Sequence, residues 1–492
     1  MTTPRAETQE QRRQYPEDRR FFGQPGVLAN LFGVEVWERF SFYGMQGILL
    51  IYLYYSASRG GLGISEATAT SIVGAYGGAV YFATILGAWV ADRLVGPERT
   101  LFYAAVVVMC GHIALALLPG MVGVGVGLGL VALGSGGVKA NATSLVGSLY
   151  SEHDERRDAG FSLFYLGINL GAFVGPLLTG LLQRDVGFHY GFGLAAVGMA
   201  LGLAQYAVFR KRLPDSTHDV PDPVGKPELV RYVVAGAAVV VTVVVLILVD
   251  VITAPRLADF VIWVSAAASV AYFAVILSSR HVDARERSRV VAFIPMFVCS
   301  AVFWSLYQQQ FTVVTIYSDK RLDRNLFGWE MPVSWVQSIN PVFIIILSGV
   351  FAAIWMRLGE RQPVTPVKFG VATILMGIAF WLFLLMPSGE NSVPLLGLGL
   401  ILLVFTIAEL LISPVGLSLA TKLAPRMFLT QMVALFFLSI ALGTAMSGKL
   451  AERYDPSHET PFFLWIGLAA VVTGAVVLVF AKPITRLMRG VR

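Results

Sequence analysis

The sequence predicts an all-α polytopic membrane protein. Of its 492 residues, 56% are hydrophobic and only 14% are charged, and the mean hydropathy is +0.69. Most apolar runs reach about 18 residues or more, the length that a helix needs to cross a bilayer. Lys and Arg gather in alternate short connections between these runs, as membrane topology requires. These three observations exclude a soluble globular fold.

The apolar runs, taken in order, predict fourteen transmembrane helices arranged as six, two and six. The first six lie near 27–55, 68–92, 100–119, 121–148, 158–182 and 191–209. A further pair lies near 229–250 and 256–279. The last six lie near 290–317, 332–356, 365–386, 393–422, 427–451 and 461–481. Two six-helix halves around a central path are common among secondary transporters.

The domain organisation follows from this grouping. The segments are a cytoplasmic N-terminal segment (1–26), an N-terminal six-helix bundle (27–212), a linker (213–228), an inserted transmembrane hairpin (229–279), a C-terminal six-helix bundle (280–481) and a cytoplasmic tail (482–492). The linker is rich in Pro, which favours an extended spacer. The hairpin has almost no polar side chains with which to line a path, so we expect it at the periphery.

The orientation follows from the basic residues. With the N-terminus in the cytoplasm, most of the 37 Lys and Arg residues lie on the cytoplasmic side. One connection departs from this preference for the cytoplasmic side, because Ser318–Glu330 carries Lys320, Arg321 and Arg324 on the outer side. We expect a multi-pass protein of the cell (inner, cytoplasmic) membrane with both termini in the cytoplasm.

Ionisable side chains inside the first predicted helix carry the strongest functional signal. Glu35, Glu38, Arg39 and Phe42 fall at i, i+3, i+4 and i+7, so they share one helix face. Charge in the hydrocarbon region is costly unless it is paired or faces water. A structural ion pair to a neighbouring helix is one interpretation, and a proton-titrated network facing a cavity is the other.

Two further charges lie inside predicted helices. Lys139 stands about nine residues from the next loop, roughly 13 Å along a helix, beyond comfortable snorkelling. It therefore needs a partner, and the carboxylates of the first helix are the candidates by type. Glu409 is a lone carboxylate that precedes Pro414 in a long apolar run. A carboxylate beside a Pro-broken stretch indicates a cavity wall.

Four segments together resemble the proton-dependent oligopeptide transporter (POT) family, a branch of the major facilitator superfamily, in its bacterial type. Glu35–Gly44 resembles the motif ExxERFxYYG, with Phe42 in place of the first Tyr. The other segments are Gly87–Thr100, similar to the superfamily's second loop, Phe161–Gly171, similar to FYxxINxG, and Gln337–Pro341, similar to QSxNP. They are spread over most of the chain.

The resemblance implies a major-facilitator fold and proton-coupled import of di- and tripeptides by alternating access. The expected proton-coupling residues are Glu35, Glu38, Arg39, Lys139 and Glu409. The expected substrate-binding residues are Tyr43, Gln46, Tyr81, Lys139, Asn169, Trp304, Gln308, Asn340, Glu409, Ser413 and Phe436. In the family, the residue matching Glu409 helps hold the peptide's amino terminus. Plain interhelical hydrogen bonding or packing stays the alternative for Asn169, Asn340 and Trp304.

Several residues depart from the family pattern. Gln46 stands where many members have an Arg that meets the peptide's carboxylate, and Gln308 stands where many have its acidic partner. Because both charges of this pair are absent together, neither position leaves a buried charge without its counter-ion. Their absence leaves Arg39 and Lys139 to meet the carboxylate. Phe436 replaces the usual Trp, which predicts a different pocket shape.

We interpret the loop Gly87–Thr100 as an element that controls conformational change and not as a substrate site. Its glycines allow a tight cytoplasmic turn, and Asp92 can pair with Arg93, Arg99 or a helix N-terminus. Asp92, Arg93 and Arg99 are therefore the expected gating residues, with a plain topogenic loop as the alternative.

Other functional classes are weaker. We expect no enzyme activity, no metal and no cofactor other than the proton gradient, because the sequence has no nucleophile constellation, phosphate-binding loop or ligand cluster. Basic residues scattered over short loops indicate topology and not nucleic acid. The expected partners are a peptide, a proton and the bilayer, and the expected state is a monomer. A transporter of another small solute, a proton-coupled exporter and a transport-inactive peptide sensor stay open as alternatives.

Overall fold

Helices account for nearly all regular structure in the computed structural model, which describes residues 18–151 and 154–491. Most of the predicted segment 1–26 and the last residue of the tail lie outside this range. The helices are α1 (Leu28–Tyr54), α2 (Glu66–Val90), α3 (Pro97–Leu117), α4 (Gly120–Ser148), α5 (Arg157–Asp185), α6 (Phe188–Phe209), α7 (Lys226–Leu248), α8 (Leu257–Ser278), α9 (Ala284–Tyr307), α10 (Val313–Lys320), α11 (Ile339–Leu358), α12 (Thr365–Leu382), α13 (Leu395–Leu423), α14 (Leu429–Ala451), α15 (Glu459–Val479) and α16 (Ala481–Leu487). Strands β1 (Asn325–Leu326) and β2 (Trp329–Glu330) pair antiparallel.

The long helices confirm the predicted order of six, two and six. Within the described part of the chain, thirteen helical spans are long and apolar enough to cross a membrane. Helix α1, which carries the three charged residues, is one more long helix. Most helix ends fall within a few residues of the predicted ends. The predicted hairpin corresponds to α7 and α8.

One predicted helix, 290–317, is broken in the structure. Helix α9 ends at Tyr307, a 3-10 turn follows at Gln308–Phe311, and α10 begins at Val313. The Gln309 amide donates to the main-chain oxygens of Ser305 (3.3 Å) and Ser447 (3.1 Å). Such side-chain bonds compete with the helical ladder. Apolar content alone could not reveal the break.

The contacts between residues divide the chain into two compact units. Unit 1 comprises Met1–Met45, Ala83–Gly175 and Phe192–Ala237. Unit 2 comprises Gln46–Phe82, Pro176–Gly191 and Ala238–Arg492. Helices α1, α2, α5, α6 and α7 each contribute to both units, so these units differ from the bundles predicted at 27–212 and 280–481. Those domain boundaries stay a prediction.

In unit 1 the predicted spacer after α6 is docked on the loop between α2 and α3. The main-chain N–H groups of Asp222 and Val224 donate to the carbonyl oxygens of Asp92 (2.9 Å) and Arg93 (3.1 Å). The Arg93 guanidinium also forms an ion pair with Asp222. Since main-chain and side-chain contacts act together, the linker is held along this loop.

A second contact fixes the start of α3 to the same linker. The fully buried Glu98 lies 2.6 Å from Nε of Arg210 and 3.1 Å from Nδ1 of His218. A buried carboxylate needs such partners to offset its lost hydration. Glu98 therefore ties α3 to the segment that follows α6.

Small residues bring α4 against α2 in unit 1. A Cβ atom placed on Gly136 would lie 2.4 Å from the carbonyl carbon of Ala83, and one on Gly87 would lie 2.6 Å from Cα of Gly137. The amide of Asn141 adds hydrogen bonds to the main-chain oxygens of Gly137 (2.8 Å) and Gly87 (3.4 Å). This close approach fixes the position of the α4 side chains that face α1.

We predict that Gly136→Ala destabilises the protein, whereas Gly129→Ala on the same helix does not. The added methyl group at 136 has no space, and overpacking of this kind costs about 1–3 kcal/mol. A Cβ at Gly129 meets no atom within 4 Å. Thermal unfolding of the detergent-solubilised variants measures the difference. Equal melting temperatures would show that α2 and α4 can separate freely.

Candidate functional site

One buried guanidinium holds two carboxylates on α1. Nε of Arg39 lies 2.7 Å from Oε1 of Glu35 and 3.1 Å from Oε2 of Glu38. The three side chains are at most 5% exposed. Helical spacing places all three on one face, as the sequence predicts. The result is a compact triad in which one cation serves two anions.

Helix α4 completes this group, which we call the α1–α4 cluster (Glu35, Glu38, Arg39, Ser135 and Lys139). The Ser135 hydroxyl donates to Oε1 of Glu38 at 2.9 Å. Lys139 lies within electrostatic range of Glu38, Glu35 and Arg39. The two carboxylates and Lys139 are thus brought into one region, and a direct partnership between them stays a prediction. Two anions and two cations balance when all four groups are ionised.

Glu409 belongs to a second polar group, in unit 2. Its Oε2 accepts hydrogen bonds from the Tyr307 hydroxyl (2.7 Å) and from the amide of Asn340 (3.3 Å). The same amide donates to the Thr406 hydroxyl at 2.9 Å. Glu409 is 8% exposed, and no cation pairs with it within the described chain at salt-bridge distance. The carboxylate is thus held by neutral donors, which leaves its charge available to a cationic ligand.

Aromatic rings surround this Glu409 group. Trp304 packs edge-on against Tyr307, with ring centroids 5.2 Å apart, and both are buried. The Phe436 ring lies over Gly416 on α13, where a Cβ atom would come within 2.4 Å of it. Ser413 is half-buried on the same helix. Trp304 and Ser413 are therefore on the helices that carry Tyr307 and Glu409, and Phe436 packs against α13 from α14.

The other predicted substrate residues are also inside the protein. Gln46 and Gln308 are 5% and 7% exposed, so both neutral amides are buried. Asn169 is buried, and its amide donates to the main-chain oxygen of Tyr165 at 2.9 Å. Tyr43 and Tyr81 are half-buried. A substrate role for these five residues stays a prediction.

The predicted gating residues lie at the end of α2 and the start of α3. Asp92 and Arg99 are exposed, and Arg93 is half-buried. Arg93 pairs with Asp222 of the linker, a partner that the sequence did not suggest. The loop is thus held by the linker in this structure, and its role in gating stays a prediction.

Sequence reasoning missed a polar cluster at the other end of α1, within unit 2. The hydroxyls of Tyr54 and Tyr55 both donate to the Asp319 carboxylate at 2.7 Å. Asp319 is 8% exposed and also lies 3.6 Å from Arg324. We call Tyr54, Tyr55, Asp319 and Arg324 the tyrosine–aspartate cluster. It joins the last turn of α1 to α10.

Further ion pairs surround the tyrosine–aspartate cluster. Lys320 pairs with Glu66, and Arg321 lies 3.4 Å from Glu459. Lys320, Glu66 and Arg321, together with the tyrosine–aspartate cluster, line a cavity of about 1010 Å³. Lys320, Arg321 and Arg324, the basic residues predicted on the outer side, thus have acidic partners. Their unusual place in the Ser318–Glu330 connection was the available signal for this cluster.

A family model described as POT family matches residues 98–466. The "Uncharacterized transporter YclF" of Bacillus subtilis is 41% identical, covering 96% of each chain. The "Di-/tripeptide transporter" of Lactococcus lactis subsp. cremoris is 38% identical over 96% of this chain and 99% of its own. A crystal structure of the peptide transporter POT with sulfate gives a TM-score of 0.91 at 43% identity, covering 96% of this chain and 98% of the other.

We predict that Arg39→Met lowers stability strongly because it strands two buried carboxylates. Removing one partner of a buried pair costs about 3–5 kcal/mol. The double variant Arg39→Met, Glu38→Gln should recover part of this loss, since only one carboxylate then needs a cation. Thermal unfolding in detergent reports both effects.

The exposed Arg361→Met serves as the control for the loss of an arginine. If Arg39→Met unfolded at the temperature of the unmodified protein, the triad would contribute nothing to stability.

Proposed function

This chain belongs to the POT family of transporters, and we propose that it is a symporter that imports di- and tripeptides with protons by alternating access. The relative from Lactococcus lactis is named a di-/tripeptide transporter and matches along nearly its whole length. The major-facilitator fold is that of the solved peptide transporters. Transport is driven by the proton gradient and needs no bound cofactor.

The observation that carries the proposal is the α1–α4 cluster. Its two carboxylates and two cations are balanced when ionised. A proton on Glu35 or Glu38 gives the cluster one excess positive charge, and a peptide carboxylate on Arg39 and Lys139 removes it. Because neither ligand alone leaves the buried group balanced, proton and peptide favour each other's binding.

Glu409 supplies the complementary half of substrate recognition. Its carboxylate accepts hydrogen bonds from Tyr307 and Asn340. The ammonium group of a bound peptide would supply the positive charge that pairs with this carboxylate. A charge-assisted hydrogen bond of this kind is stronger than a neutral one.

The tyrosine–aspartate cluster is assigned to the outer side of the membrane, with both termini in the cytoplasm. The acidic partners of Lys320 and Arg321 neutralise cations that would otherwise argue against this orientation. Breaking the hydrogen bonds to Asp319 would free the last turn of α1 from α10. Asp92, Arg93 and Arg99 act at the cytoplasmic side.

Uptake of labelled dialanine into proteoliposomes tests the function. We predict concentrative uptake only when the outside is acidic, since the gradient supplies the driving force. Uptake that ignores the gradient would contradict proton coupling. An absence of uptake across a dipeptide panel would favour another solute or a sensor, and efflux against an opposed gradient would favour an exporter.

We predict that Glu38→Gln abolishes gradient-driven uptake and leaves peptide counterflow partly intact. The amide preserves shape but cannot gain a proton, so substrate exchange survives while coupling is lost. Glu228→Gln, at an exposed carboxylate, is the matched control. Concentrative uptake at the unmodified rate in Glu38→Gln would show that Glu38 does not carry the proton.

We predict that Glu409→Gln removes the preference for a free amino terminus. In the unmodified protein, dialanine should compete for uptake about tenfold better than N-acetyl-dialanine, the worth of roughly 1.4 kcal/mol from one charge-assisted bond. In counterflow with Glu409→Gln, the two competitors should become similar. A preserved preference in that variant would place amino-terminal recognition elsewhere.

A further inference from the structure

Tyr307, the last residue of α9, is not one of the residues that the sequence predicts for substrate binding. Its hydroxyl oxygen lies 2.7 Å from Oε2 of Glu409 and 3.2 Å from Oδ1 of Asn340, and all three side chains are buried in unit 2. We propose that Tyr307 is a positioning residue for the substrate's amino group, because its hydroxyl holds one oxygen of Glu409 so that the other oxygen faces the ligand. This inference rests on the proposed function, in which Glu409 pairs with the peptide's ammonium group.

The two oxygens of the Glu409 carboxylate have different surroundings. Oε2 accepts both hydrogen bonds, one from the Tyr307 hydroxyl and one from the Asn340 amide. Oε1 accepts no hydrogen bond from any residue that the structure describes, and it is not closed off inside the protein. Two donors on one oxygen thus orient the carboxylate and leave the opposite oxygen open to a ligand.

The direction of the Asn340 amide follows from its neighbours. The Thr406 hydroxyl uses its single proton on the main-chain oxygen of Leu402 at 2.8 Å, so toward Asn340 it can only accept. Since Thr406 and Glu409 both accept from Asn340, the NH₂ group of the amide faces them. The amide oxygen Oδ1 therefore faces Tyr307 and offers the phenol a second acceptor.

The Tyr307 hydroxyl has one proton for these two acceptors. Toward an ionised Glu409 it donates over the shorter distance, 2.7 Å, and forms the stronger, charge-assisted bond. When Glu409 takes up a proton, the hydroxyl can turn to Oδ1 of Asn340 at 3.2 Å. Both states of the carboxyl group thus keep their buried polar neighbours in hydrogen bonds, so Tyr307 orients Glu409 without fixing its charge.

Aromatic packing holds the Tyr307 ring in place. Phe303 stacks on it with ring centroids 6.0 Å apart and an interplanar angle of 17°, and Trp304 packs edge-on at 5.2 Å. From α13, Phe405 is tilted against the same ring at 6.5 Å. A side chain that is locked by packing keeps its polar tip within the narrow limits that recognition requires. The three rings therefore fix the hydroxyl relative to Glu409, which stands one helical turn after Phe405.

Loss of the hydroxyl should weaken the binding of a free amino terminus and leave other ligands unaffected. In Tyr307→Phe, Oε2 keeps only the Asn340 donor, so the ionised Glu409 that an ammonium group requires is less stable and less well oriented. We expect about tenfold weaker binding of dialanine, the effect of one hydrogen bond to a charged group. N-acetyl-dialanine has no ammonium group, so its affinity should stay unchanged. A general disturbance of the structure would weaken both ligands alike.

Isothermal titration calorimetry of the full-length, detergent-solubilised protein measures both affinities without requiring transport. Tyr103→Phe, which removes the hydroxyl of an exposed tyrosine on α3, is the matched control and should bind both ligands as the unmodified protein does. Unchanged dialanine affinity in Tyr307→Phe, or an equal loss for both ligands, would overturn the positioning role alone. If the unmodified protein itself binds no dialanine, the proposed function is contradicted and this inference falls with it.

A second variant tests the same network from its other end, and it decides if Tyr307→Phe does not fold. Thr406→Val keeps a similar side-chain volume but removes the acceptor that orients the Asn340 amide. We expect about threefold weaker binding of dialanine, the effect of one neutral hydrogen bond, and no change for N-acetyl-dialanine. Full dialanine affinity in Thr406→Val would overturn the network through which Tyr307 and Asn340 orient Glu409.

Discussion

The central constraint is the cost of placing Arg39 and two carboxylates inside a membrane-spanning helix. Each charge removed from water needs a partner at hydrogen-bond distance, because the surrounding medium offers none. Arg39 satisfies this for Glu35 and Glu38 at 2.7 and 3.1 Å. Helix α4 must then approach α1 with Ser135 and Lys139 in register. Gly87 and Gly136 let α4 pack closely against α2. This packing therefore helps to place Ser135 and Lys139 beside the charged residues of α1.

The same cost of burying charge explains the contacts of two further carboxylates, one in each unit. Asp319 is buried by the tyrosines of α1, and its charge is met by two hydroxyl donors and by Arg324. Glu98 is buried at the start of α3 and is met by Arg210 and His218. Each of these tertiary contacts is thus built from a single acidic group with several donors.

The sequence predicted the helices well and the tertiary partners poorly. Hydropathy located the long helices because each must supply its own apolar length, and helical spacing placed Glu35, Glu38 and Arg39 together because they lie on one helix. The bond from Tyr54 to Asp319 joins residues 265 positions apart, and no local pattern encodes it. Ser135 was overlooked although it stands four residues before Lys139, on the same face. The break after Tyr307 involves the Gln309 side-chain amide, which donates both to Ser305 on α9 and to Ser447 on the distant α14.

Because Gln46 and Gln308 carry no charge, pairing with a charged substrate or a proton falls to the other ionisable residues. Both are buried, so a single charge at either position would lack a counter-ion and would cost several kcal/mol. Their joint neutrality is stable but removes one cation and one anion from the usual set. Under the proposed function, a substrate carboxylate is left with Arg39 and Lys139, and a proton with Glu35, Glu38 or Glu409. Because Arg39 and Lys139 balance Glu35 and Glu38 when all four are ionised, a carboxylate can bind there without an unpaired charge only if one glutamate is protonated. We therefore propose that charge balance within the α1–α4 cluster couples the peptide to the proton.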